Sequence, residues 1–169
     1  MPEGPEPGAR DRRDQETDAR ASSLSAAADM AAHLIWWPAV AMAAITLLVW
    51  CRMFTARIGQ MKRERIHPQR VANSAQAATL LTDSRAADNF RNLFELPVLF
   101  YAALAMAASL SLVDRATLGL AWAFVALRAV HSLVHCSYNR VIHRFWAYAA
   151  GGMVLWILWA YLVVGLLRA

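Results

Sequence analysis

The sequence predicts an all-helical integral membrane protein built on a bundle of four transmembrane helices. Of its 169 residues 59% are hydrophobic, and seven are Trp. The apolar residues gather into charge-free blocks at 34–51, 96–113 and 145–167. Each block approaches the roughly 20 helical residues needed to cross a hydrocarbon core about 30 Å thick. Within the blocks no polar face recurs at helical spacing, which excludes a soluble helical bundle.

The expected spans are 31–54, 90–113, 116–138 and 145–168. The third needs its own argument, because only residues 116–127 are free of charge before Arg128 interrupts them. Carrying the helix on to residue 138 makes it long enough but admits Arg128, His131 and His135. An arginine at that depth costs at least about 2.5 kcal/mol on insertion scales, so it should face protein or water rather than lipid.

Ahead of this membrane domain, 30–169, lies a tail at 1–29 made of Pro, Gly, Arg, Asp, Ser and Ala, with no aromatic residue. Such a composition is expected to be disordered. Met30 opens "MAAHLIWW" directly before the first span and reads as an alternative start of the chain. The apolar run continues past the Ala41-Met42-Ala43 imitation of a cleavage site, so the first span reads as an uncleaved anchor rather than a signal peptide.

The net charge of +5 reflects where the cations stand. Arg52, Arg57, Lys62, Arg63, Arg65, Arg70, Arg85 and Arg91 surround the first connection, Asp114 and Arg115 the second, and Arg140 and Arg144 the third. By the positive-inside rule the first and third loops are cytoplasmic and both termini lie outside. The basic excess is thus a topology signal with some attraction for anionic lipid, and no nucleic-acid partner is expected. Arginine outnumbers the single lysine sixteen to one, the habit of a GC-rich bacterial genome, so a bacterial inner membrane is expected. Cys51 and Cys136 then sit on the reducing side and read as free thiols. The long first loop carries Pro68 and the Ala-rich piece "RVANSAQAATLLTDSRAADN", which suggests a short interfacial helix. Trp36, Trp37, Trp156, Trp159 and Tyr161 suit interface anchors.

Two polar stripes interrupt the apolar pattern. At 100° per residue Arg128, His131, Ser132, His135, Tyr138 and Asn139 share about a third of the third helix. On the second, Arg85, Asp88, Asn89, Asn92 and Glu95 share a face, with Arg91 in reach of Glu95 at i, i+4. Counted from the cytoplasmic ends, Glu95 and His131 both lie roughly 10 Å deep, so the stripes can meet. They then form either a cytosol-facing pocket or, through an Arg128–Glu95 ion pair, a device that fixes helix register. Pro97 should kink the second helix and free the carbonyl of Leu93. His131, His135 and Glu95 have the spacing of a mononuclear metal site, but five histidines fall short of a di-iron box, and no metal is expected. Ser132 and Cys136 have histidines nearby without a third group, which gives a nucleophilic hydrolase little support.

At these residues the chain resembles the MAPEG superfamily, the membrane-associated proteins of eicosanoid and glutathione metabolism. The resemblance covers about residues 31–168. It is carried by four helices with a basic first loop, by Asn92-Leu93-Phe94-Glu95 followed closely by Pro97, and by Arg128 leading His131 and His135. It implies a homotrimer that binds glutathione between neighbouring subunits and draws a lipophilic small molecule from the membrane lipids. Asn92 and Glu95 would hold the tripeptide's polar ends, Arg128 would face a carboxylate or Glu95, and His131 and His135 would share the pocket. Arg144, or else Arg140, would stabilise the thiolate as the catalytic cation. The sequence departs from the family's pattern at Asp88, where an arginine is expected, and at His131 and His135, where tyrosines are. Two functions follow from the resemblance: a glutathione-dependent transferase or peroxidase acting on lipophilic electrophiles, or a non-catalytic lipid-binding or scaffold protein of the same fold.

Overall fold

The computed structural model describes residues 7–168, with side chains only partly described in the first helix. Seven α-helices follow one another: α1 (Pro7–Leu34), α2 (Trp36–Arg63), α3 (Ser74–Leu80), α4 (Arg85–Asn92), α5 (Leu96–Ser109), α6 (Arg115–Cys136) and α7 (Val141–Arg168). No strand occurs among the described residues. Among the described residues four helical stretches are long and apolar enough to cross a membrane: Trp36–Arg63, Arg85–Ser109, Arg115–Cys136 and Val141–Arg168.

Their packing is that of a membrane bundle. The core runs through Met42 and Val49 of α2, Phe100, Ala103, Leu104 and Ala107 of α5, Ala121 and Phe124 of α6, and Leu155, Leu158 and Leu162 of α7. Phe100 and Phe124 stack at its centre with ring centroids 4.5 Å apart. Large apolar side chains also cover the outside, among them Trp37, Leu48, Leu133 and Trp156. An outer surface of this kind is costly in water and suited to hydrocarbon.

The ends of the helices explain where the spans depart from expectation. The first runs on to Arg63 rather than ending near 54, and its last turn carries Lys62 and Arg63, cations that favour the negative end of the helix dipole. Gln60, only 3% exposed, then ties the connection back onto α2. Its Nε2 donates to Thr82 Oγ1 at 3.0 Å and Glu64 Oε1 at 2.9 Å, and its Oε1 accepts from the Asp83 N–H at 3.4 Å. Within that connection a short helix, α3, starts at the Asn73 cap, whose Oδ1 accepts from the Gln76 N–H at 2.9 Å.

The second span is interrupted rather than merely kinked. A proline inside a helix removes one hydrogen bond and clashes with the carbonyl four residues earlier. The chain avoids both by leaving helical geometry between α4 and α5, so that Pro97 falls in the first turn of α5, where its missing N–H costs nothing. The third and fourth spans differ from the expected bounds by a few residues. α6 is capped by Asp114, whose carboxylate accepts from the Thr117 N–H at 2.8 Å and from the Tyr161 hydroxyl of α7.

The tail expected to lack structure carries α1 from Pro7. Its described side chains from Arg12 to Ala26 are exposed, and its Ala-rich sequence has high intrinsic helix propensity. Residues 1–6 lie outside the described residues.

Candidate functional site

The polar stripes of α4 and α6 do meet, and α7 completes the cluster. Arg128 is fully buried, the largest side chain so placed. Its Nη2 donates to the backbone carbonyl of Asn92 at 2.7 Å. That carbonyl belongs to the last residue of α4, where the helix dipole favours a cation and the carbonyls lack helical partners. The guanidinium carbon also lies 5.3 Å from the centre of the Tyr148 ring, a cation–π arrangement. Gly151 of α7 adds room: a Cβ there would stand 3.8 Å from Arg128 Cδ. Among the described residues Nε and Nη1 of Arg128 meet no hydrogen-bond partner.

Glu95 stands at the interruption between α4 and α5 and is exposed. The Tyr148 hydroxyl donates to its Oε2 at 3.1 Å. The Arg128–Glu95 ion pair, one of the two readings of the stripes, is therefore not made: Arg128 takes a backbone carbonyl instead, and Tyr148 stands against both side chains. Nor does Arg91 reach Glu95; it lies 3.6 Å from Asp88 at i, i+3. Among the described residues the only ion pairs are that one and Arg85–Asp83.

The histidines serve Arg144. His131 Nδ1 lies 3.0 Å from the Arg144 carbonyl, so Nδ1 carries the proton and donates. The Arg144 Nη1 donates to His135 Nε2 at 2.8 Å and to Asn139 Oδ1 at 2.9 Å. Because a guanidinium has only donors, His135 must offer a bare Nε2 and is neutral with its proton on Nδ1. Asn139 ends the turn between α6 and α7 at φ 49°, a left-handed conformation that Asn tolerates better than most residues, and its N–H donates to the Val134 carbonyl at 2.9 Å.

The candidates thus fall into two sets. Glu95 is exposed and Asn92 and Arg144 are half-buried, while Arg128, His131 and His135 are 0%, 2% and 2% exposed. Behind them Asn89, also fully buried, donates from Nδ2 to Cys136 Sγ at 3.4 Å and accepts from Ser132 Oγ at 3.5 Å. Arg140 is exposed; its carbonyl accepts from the Arg144 N–H at 3.1 Å, and among the described residues no side chain of the cluster bonds its guanidinium. Cys51 and Cys136 are free. Among the described residues no three His, Cys, Asp or Glu side chains converge as a metal site would require. Tyr148 was not among the sequence candidates, because a tyrosine in an apolar run reads as packing. An apolar groove of about 370 Å³ opens between α2 and α6, lined by Ile45, Leu48, Val49, Ala129 and Leu133, with Arg52 at one end.

A family model described as MAPEG family matches residues 35–164. No curated protein and no solved structure matches the chain. The matched region holds the first three spans whole and the fourth up to residue 164, and with them the Asn92–Glu95 segment and the whole α6 stripe; the chain belongs to the MAPEG family.

Proposed function

We propose that this chain is a glutathione-dependent transferase or peroxidase acting on lipophilic electrophiles, working as a homotrimer with its first and third loops in the cytoplasm. The observation that carries the reading is Glu95, an exposed carboxylate held inside a membrane span by the Tyr148 hydroxyl. A charge at such a position is costly unless a counter-charge meets it. Arg128 makes no ion pair with Glu95 and spends its one hydrogen bond on the Asn92 carbonyl, which leaves the exposed carboxylate open to a partner from outside the subunit, and the ammonium of a peptide suits it.

The other residues fit the rest of glutathione. The Asn92 amide, one turn earlier, suits a carboxylate or amide of the tripeptide. Arg144 supplies a cation near the start of α7 for the thiol, whose pKa of about 8.5 falls beside a positive charge. The thiolate sulfur then attacks the electrophilic carbon, the leaving group departs with the bonding pair, and the thiol proton goes to solvent. Arg128, His131 and His135 act behind this face, holding Asn92 and Arg144 in place. The apolar groove between α2 and α6 offers a lipid-side seat for the cosubstrate.

The test is calorimetry of glutathione against the full chain in nanodiscs, with conjugation of a generic aromatic electrophile. Binding and conjugation are expected, with Glu95→Gln weakening binding tenfold or more. Neither binding nor conjugation would remove the reading. The non-catalytic alternative draws on one observation: Arg128, His131 and His135 are buried and spend their hydrogen bonds on packing the helices together. It expects Arg144 variants to keep function, and Glu95→Ala or Arg128→Ala to dissociate the oligomer in mild detergent.

A further inference from the structure

We propose that His135 and Asn139 are positioning residues that turn Arg144 into a preset anion-binding fork, directed at the thiolate of the cosubstrate. The inference rests on the glutathione reading above and assigns roles to two side chains that a pocket of direct ligands would not need.

His131, His135 and Asn139 stand at i, i+4 and i+8, and all three grip one residue. His131 holds the Arg144 carbonyl, while His135 and Asn139 take both hydrogens of its Nη1. Among the described residues Nε and Nη2 of Arg144 donate to no protein group. Those two atoms form the flat edge of the guanidinium that presents parallel N–H bonds to an anion. Pinning Nη1 at two points fixes the plane of the group and the direction of that edge. A long side chain otherwise surrenders rotamer freedom when it binds, and here part of that loss is met on folding.

The two acceptors are also chemically selective. His135 can accept from Nη1 only while it is neutral, and it is buried with its ring against that of His131. Asn139 accepts through a neutral amide oxygen. Neither neutralises Arg144, so its full charge remains for the ligand. An aspartate in either place would orient the guanidinium equally well and spend the charge that lowers the thiol's pKa.

The test reads the thiol of bound glutathione, by its ultraviolet thiolate absorbance against pH, with full-chain protein in nanodiscs. Asn139→Gly keeps the left-handed turn, which glycine accepts freely, and removes only the amide. His135→Gln retains an acceptor, and His135→Phe does not. Asn139→Gly and His135→Phe are expected to cut the thiolate fraction at neutral pH about threefold to tenfold, with glutathione affinity changed less, and His135→Gln to restore most of it. Unchanged thiolate titration in both Asn139→Gly and His135→Phe, with wild-type glutathione binding, overturns the positioning role alone. Wild-type protein that binds no glutathione overturns the functional reading and this inference with it.

Discussion

Replacing Arg128 by alanine and by methionine should separate what its volume does from what its charge does. The side chain is wholly buried, bonds the Asn92 carbonyl at 2.7 Å and packs near Gly151. Alanine deletes the bond and leaves a cavity beside Gly151, between α6 and α7. Large-to-small changes at such sites cost about 2–5 kcal/mol, and an orphaned buried carbonyl about 1–3 kcal/mol more. Against this stands relief of the two unpartnered nitrogens, Nε and Nη1, whose burial is itself unfavourable. The net expectation for Arg128→Ala is a loss of about 3–5 kcal/mol. Methionine keeps most of the length and bends to fill gaps, so Arg128→Met should lose only about 1–2 kcal/mol, the bond less the relief. For a chain of this size each kcal/mol moves the midpoint by about 2–4 °C. Thermal unfolding in nanodiscs should therefore put Arg128→Met well above Arg128→Ala. Equal destabilisation of the two variants would refute the division, since charge and not packing would then set the cost.

Other outcomes follow from the same contacts. Tyr148→Phe removes the hydroxyl on Glu95 and should weaken glutathione binding about threefold to tenfold by calorimetry, with little change in unfolding midpoint. Gln60→Leu frees the Leu80–Asp83 backbone from α2 and should cost about 1–3 kcal/mol, seen as faster hydrogen exchange in that connection. Arg85 hydrogen-bonds Asp83 and holds its carboxyl below the ordinary carboxylate range, against an opposing push from burial. A carboxylate so depressed stabilises the fold at neutral pH and loses that contribution as pH falls through its folded pKa. Asp83→Asn should therefore flatten the acid limb of stability against pH and leave the limb above neutrality unchanged.

Much of this was legible in the sequence, for stated reasons. Charge-free blocks near bilayer length marked three of the spans, and the third was reached only by carrying a shorter run through Arg128. The helical period put Arg128, His131 and His135 on one face, and the structure keeps them there, turned inward. What the period could not supply is the partner across the helix gap. Arg128 and Glu95 lie near enough in depth to suggest an ion pair, yet a carbonyl at the end of α4 and the Tyr148 hydroxyl intervene. Both depend on Pro97 interrupting the span two residues early, and on the packing of α7, which its uniform apolar sequence does not reveal. The grip on Arg144 was hidden likewise: it requires the left-handed turn at Asn139 that folds α7 back along α6. The first span's extra turns escaped notice because arginines and lysine beyond an apolar block mark its border without ending its helix.

The most direct test of the account is a density map of the full chain in nanodiscs with saturating glutathione. The account predicts a three-fold trimer with the tripeptide between neighbouring subunits, its ammonium on Glu95 and its sulfur against the open edge of Arg144. A trimer with glutathione absent from that face, or with Glu95 paired to a neighbouring subunit's cation in its place, would contradict it.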